Sequence, residues 1–190
     1  MSLLLVGMLL FLGAHSVSIV APAWRDAMAA RLGEKSWKGI YSLLSVVGFV
    51  LLLLGYSAAR QAPVVLYVPP VWTRHVALLL MLPVFPLLLA TYLPGRISRA
   101  AKHPMLLSVK IWATAHLLAN GMLADVVLFG GLLAWAVADR ISLKRRTPRP
   151  VPGAPPTPAN DLLAVALGLM IYVALVAALH QALFGVSPLP

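Results

Sequence analysis

Four stretches of the chain, residues 3–20, 38–57, 73–93 and 161–184, run apolar for about the 20 residues that a helix needs to cross a bilayer. Runs of that length leave no polar face for a water-soluble fold to show to solvent. Composition agrees: 61% of the 190 residues are hydrophobic and 11% charged, against roughly 25% charged in an ordinary soluble domain. Fifteen Lys and Arg outweigh five Asp and Glu, giving a formal charge of +10. On a soluble protein that excess would point to nucleic acid. On a membrane protein it reports topology, because basic residues collect in cytoplasmic loops. The expected partner is therefore the lipid bilayer, with no nucleic acid. Cysteine is absent, which excludes disulfides, thiolate metal sites, iron–sulfur clusters and cysteine nucleophiles.

Residues 105–138 form a fifth apolar region of 34 residues, too long for one ordinary span and slightly short for two. Within it lies Asn120-Gly121, a strong turn signal because both residues tolerate positive φ. The pattern predicts a tight helical hairpin, residues 102–119 and 122–139. The basic residues test this count. With six spans and the N-terminus outside, the first, third and fifth loops face the cytoplasm. They carry Arg25, Arg31, Lys35 and Lys38, then Arg96, Arg99 and Lys102, then Arg140, Lys144, Arg145, Arg146 and Arg149, twelve in all. Outer loops hold only Arg60 and Arg74, and Lys110 falls within a span. Reading residues 105–138 as one helix would put the second and third basic groups on opposite sides.

The fold expected is all-α: a polytopic membrane protein, a bundle of six transmembrane helices including the hairpin at Asn120-Gly121. It would sit in the bacterial inner (cytoplasmic) membrane with both termini periplasmic. Residues 1–143 then form a membrane domain of five helices, 144–160 a proline-rich cytoplasmic linker, and 161–190 a C-terminal transmembrane helix. Ala21-Pro22-Ala23 resembles a signal-peptide cleavage site, but no basic residue precedes the apolar stretch and four follow it, so a retained helix is expected. Pro22 can open a short interfacial helix through Leu32, whose Trp24, Met28 and Leu32 recur at helical spacing beside Arg25 and Arg31. The linker follows Lys-Arg-Arg with prolines at 148, 150, 152, 155, 156 and 158, which predicts an extended mobile tether that does not pack. Pro83 and Pro86 should kink the third span. Ser45, Gly48 and Gly55 in the second span suit close helix contact.

Ionisable residues inside a bilayer are costly and mark function by default. Here they are His15, His75, His103, Lys110, His116, Asp125 and His180. His75, His103 and His180 fall near span ends, where an interfacial histidine needs no special chemistry. His15 and His116 are flanked by apolar or small residues within spans, and two roles stay open for them: a hydrogen-bonded packing histidine, or an axial ligand of a haem iron. About an Asn120-Gly121 turn, Asp125 would lie at the depth of His116. A carboxylate there can orient a ligand histidine through its second ring nitrogen, or can simply be solvated. Lys110, seven residues after His103, can snorkel toward the inner surface or pair with a haem propionate or another anion.

Several of these residues carry a resemblance. Leu12-Gly13-Ala14-His15-Ser16, Arg31-Leu32-Gly33-Glu34-Lys35, Pro94-Gly95-Arg96, Lys102-His103-Pro104-Met105 and Ala115-His116-Leu117-Leu118-Ala119-Asn120-Gly121 resemble the NnrU family of bacterial membrane proteins, over residues 3–146. The resemblance implies an association with denitrification, through nitrite and nitric oxide reduction. It also implies kinship with the plastid 15-cis-zeta-carotene isomerase, a membrane enzyme that carries haem b. Its proposed haem ligands match His15 and His116. A cysteine three residues before its second histidine is Ala113 here, so thiolate ligation is excluded. Met122 stands where many family members carry an acidic residue, and Asp125 is the nearest substitute.

Three functions follow from these readings. The first is an integral-membrane haem b protein, with His15 and His116 on the iron, working beside components of nitrogen-oxide respiration. The second is a haem-dependent cis–trans isomerase of an apolar polyene such as a carotenoid. The third is a haem-free assembly factor for a membrane complex.

Overall fold

A computed structural model describes residues 1–147 and 149–189; Pro148 and Pro190, which belong to the expected linker and C-terminal segment, lie outside the described residues. The order of elements is α1 (Ser2–Val20), α2 (Pro22–Leu32), α3 (Glu34–Gln61), α4 (Val71–Met81), α5 (Val84–Ala90), α6 (Arg96–Ala101), α7 (Pro104–Ala119) and α8 (Leu123–Asp125). There follow a π-helical turn (Val126–Gly130), α9 (Gly131–Ser142), α10 (Ala159–Ala174), a second π-helical turn (Leu175–Leu179) and α11 (His180–Phe184). The all-helical expectation holds, and four stretches have the length and apolarity to cross a membrane: Ser2–Val20, Glu34–Arg60, Val71–Ala90 and Ala159–Phe184. The fifth expected span is shorter than predicted. Lys102 adopts φ 60° and α7 begins only at Pro104, leaving 16 residues, about 24 Å of helix against a hydrocarbon core of about 30 Å. The sixth, α8 through α9, carries Asp125, Asp139 and Arg140 and is interrupted by its π turn.

The chain divides into two compact units, one of residues 1–66 and 122–147, the other of residues 67–121 and 148–190. In the first unit α1 and α3 pack antiparallel through glycines. A Cβ at Gly48 would lie 2.6 Å from the backbone nitrogen of Phe11, and one at Gly7 or Gly55 would strike the backbone of Leu52 or Leu4. Gly48 and Gly55 thus have the close-contact role read from the sequence, and Gly7 supplies it from the facing helix. The short helix α2 has the expected bounds, with Pro22 in its first turn, where a missing N–H costs nothing. Gly33 at φ 84° separates it from α3, and the Trp24 ring meets Trp37 edge-on at 6.0 Å.

The Asn120-Gly121 expectation is corrected. Asn120 is extended (φ −134°, ψ 137°), Met122 is extended, and the positive-φ glycines among the described residues are Gly33 and Gly185. In place of a tight turn, Met122 bridges antiparallel to Val65, and Leu123 N–H donates to the Val64 carbonyl at 2.8 Å. Gly121 is needed for another reason. Its carbonyl accepts from Tyr67 N–H at 3.1 Å, and any Cβ on it would collide with the Tyr67 carbonyl.

In the second unit α5 packs against α7 and α10, with Gly168 set against the backbone at Phe85 and Pro86. Pro83 breaks the expected third span, as its missing N–H requires: α4 stops at Met81 and α5 starts at Val84. Leu82 N–H turns back to Leu79 rather than Leu78, and the Leu78 carbonyl accepts from the Tyr172 hydroxyl on α10 at 3.1 Å. A side chain thus re-satisfies backbone that proline has freed. Tyr172→Phe is expected to cost about 0.5–1.5 kcal/mol in detergent unfolding. That cost should vanish in a Pro83→Ala background, where the backbone ladder can close; an equal cost in both backgrounds would refute the compensation.

The linker expectation is also corrected, because part of the proline-rich segment packs. Ala154 N–H donates to the Tyr92 carbonyl at 2.8 Å. The Asn160 amide donates to the carbonyls of Pro94 and Pro155 at 2.9 and 3.0 Å. Asp161 accepts from the first two backbone N–H groups of α6, Arg96 at 2.8 Å and Ile97 at 3.0 Å. Prolines lack the donors for regular structure, but their carbonyls remain, and Asn160 uses two of them.

Candidate functional site

His15 lies in the last turns of α1. Its Nδ1 is 2.7 Å from the Phe11 carbonyl one turn earlier. A carbonyl only accepts, so Nδ1 carries the proton of this bond, and in the neutral ring Nε2 is the nitrogen with the lone pair. The ring is set among aromatics, 4.3 Å from Phe11, 5.2 Å from Tyr41 on α3 and 5.8 Å from Trp135 on α9, the last edge-on. His116 in α7 repeats the device. Its Nδ1 donates to the Trp112 carbonyl at 2.8 Å, and its ring lies 4.9 Å from the Trp112 ring. Both histidines are half-buried. Phe-x-x-x-His and Trp-x-x-x-His are visible in the sequence, yet the aromatic one turn before each histidine was not read as part of a site.

The first unit holds His15 and Asp125; the second holds His103, Lys110 and His116. Asp125 is 2% exposed, so the solvated alternative does not hold. One carboxylate oxygen accepts from the Tyr56 hydroxyl at 2.6 Å and the other from Met122 N–H at 2.9 Å. Aspartate at this position caps its own helix and ties it to α3. His103 stands at the N-terminal boundary of α7 before Pro104, and Lys110 is half-buried in the middle of that helix. His75 is exposed on α4. The Nδ1 atom of His180 is 2.7 Å from the Val186 carbonyl near the chain end.

A polar group that the sequence reading missed lies beside His15. Trp135 and Asp139 are one turn apart on α9, and Arg146 pairs with Asp139. The same guanidinium donates to the Ser18 carbonyl of α1 at 3.1 Å. Two donors in this group, Trp135 Nε1 and Arg146 Nε, are shielded and find no acceptor among the described residues.

Taken one at a time, the two imidazoles have the chemistry that a haem iron takes from histidine: each holds its Nδ1–H on a carbonyl, which leaves Nε2 as the nitrogen for a metal, and each stands beside an aromatic ring.

These features define an all-helical protein with several helices of membrane-crossing length. The family model described as NnrU protein matches residues 3–188. The chain belongs to the NnrU family, and the match extends past residue 146 to include the last helix. Neither a curated protein nor a solved structure matches it.

Proposed function

We propose that this chain is an integral-membrane haem b protein of nitrogen-oxide respiration, with His15 and His116 as the iron ligands. The observation that carries the reading is the shared local geometry of the two histidines. In each, Nδ1–H is committed to the carbonyl of an aromatic residue one turn back, which makes Nε2 the basic atom and holds the ring before any ligand arrives. The family's association with nitrite and nitric oxide reduction supports the respiratory setting. Placement in the inner membrane, six spans and periplasmic termini rest on the distribution of basic residues.

Bound haem would supply a one-electron centre at bilayer depth. The protein's own residues orient the imidazoles and set each beside an aromatic ring. Protein purified in detergent from cells supplied with haem precursor is expected to be red, with a Soret band and a pyridine-haemochrome spectrum of haem b. Colourless protein under those conditions would favour a haem-free assembly role.

A further inference from the structure

We propose that Trp135 and Arg146 form a binding site for a carboxylate at the end of the first unit where α1 and α9 terminate. Each of the two buries a donor that no atom of the described residues satisfies: the indole Nε1–H, which can only donate, and the guanidinium Nε–H. A shielded donor without an acceptor costs free energy comparable to a lost hydrogen bond, so two beside one ion pair call for an acceptor group. The network connects them. Asp139 follows Trp135 by one turn and holds one arm of Arg146, while another arm is fixed on the Ser18 carbonyl. This leaves Nε, a donor on the charged guanidinium, without an acceptor among the described residues. Arg140, Lys144 and Arg145 flank the pair in the same stretch, so the local charge stays positive even with Asp139 ionised, and an added carboxylate is favoured.

The site sits beside His15. Ser18 follows His15 by three residues, about 4.5 Å along the helix axis, and the Trp135 ring is 5.8 Å from the His15 ring. Two amphiphiles could bring a carboxylate to this point: haem through a propionate, an arm that rests on the proposed function, or a long-chain fatty acid.

The test compares iron protoporphyrin IX with its dimethyl ester, which keeps the iron and the macrocycle but lacks free carboxylates. Detergent-purified wild-type protein should bind the free acid roughly 10- to 100-fold more tightly than the ester, the worth of a charge-assisted hydrogen bond. Arg146→Gln should shrink that ratio while leaving ester affinity and the visible spectrum in place, and Trp135→Phe should shrink it as well. Trp135→Phe removes only the N–H and part of a ring, so it serves if Arg146→Gln fails to fold. A ratio near one in the wild type, or a ratio unchanged in both variants, overturns the inference even if haem binds. If the wild type binds neither porphyrin, the proposed function fails, and palmitate against methyl palmitate decides the site. Arg146-dependent preference for palmitate upholds it with a lipid source, and no such preference overturns it.

Discussion

Alanine at His15 or at His116 is expected to abolish the low-spin spectrum of the haem-loaded protein and to lower its haem content by about tenfold or more. Loss of an orienting partner around a metal-binding histidine already costs about 10- to 100-fold in affinity, and removal of the ligand atom costs at least as much. His75→Ala and His180→Ala should keep wild-type haem content, since neither carries an aromatic residue one turn before it with its Nδ1 bonded there. The Nδ1 bond of each proposed ligand closes within its own helix, so alanine breaks no link between helices through that atom. Far-ultraviolet circular dichroism of the variants should therefore match the wild type. A wild-type Soret band and haem stoichiometry in either single variant would remove that histidine from the iron.

The largest stability effect is expected at the crossing of α1 and α3. Gly7→Ala or Gly55→Ala places a methyl group against main-chain atoms of Leu52 or Leu4. A side chain can rotate away from such a clash, but two packed backbones must move apart. The cost should lie at the upper end of overpacking, about 3 kcal/mol, or a drop of roughly 6–12 °C in unfolding temperature for a chain of this size. Gly13 supplies the contrast. Nothing lies within 4 Å of a Cβ built there, so Gly13→Ala should be neutral or stabilise the helix by about 0.5–1 kcal/mol. Equal thermal stability of Gly7→Ala and Gly13→Ala in the same detergent would contradict the crossing as the first unit's main contact.

Local rules read the sequence well where the physics is local. Pro22 and Gly33 bracket α2 because a fixed φ starts a helix and a left-handed residue stops one, and both effects depend on one residue. Gly48 and Gly55 were legible as contact residues because spacing puts them on one helix face. Asn120-Gly121 misled for the opposite reason. Glycine serves positive φ and close approach equally, and only the Tyr67 carbonyl, more than 50 positions away, decides between them at Gly121. The proline-rich segment was read as a tether from composition, while its docking depends on carbonyls at Tyr92 and Pro94. In the candidate site, His15 and His116 stood out as polar residues in apolar runs. Trp135 did not, because indole counts as apolar, and Arg146 was absorbed into the count of basic residues that sets topology. The spacing of Trp135, Asp139 and Arg146, one turn and then seven residues, was the available signal.

The hydrogen bond from Tyr172 to the Leu78 carbonyl sets a schedule for making the protein. The donor is encoded 94 residues after the acceptor, so at ordinary elongation rates the ribosome delivers it roughly 5–20 s later. During that interval the Leu78 carbonyl is without its Tyr172 donor. A chain ending before Tyr172 would lack the side chain from which the Leu78 carbonyl accepts in the finished fold.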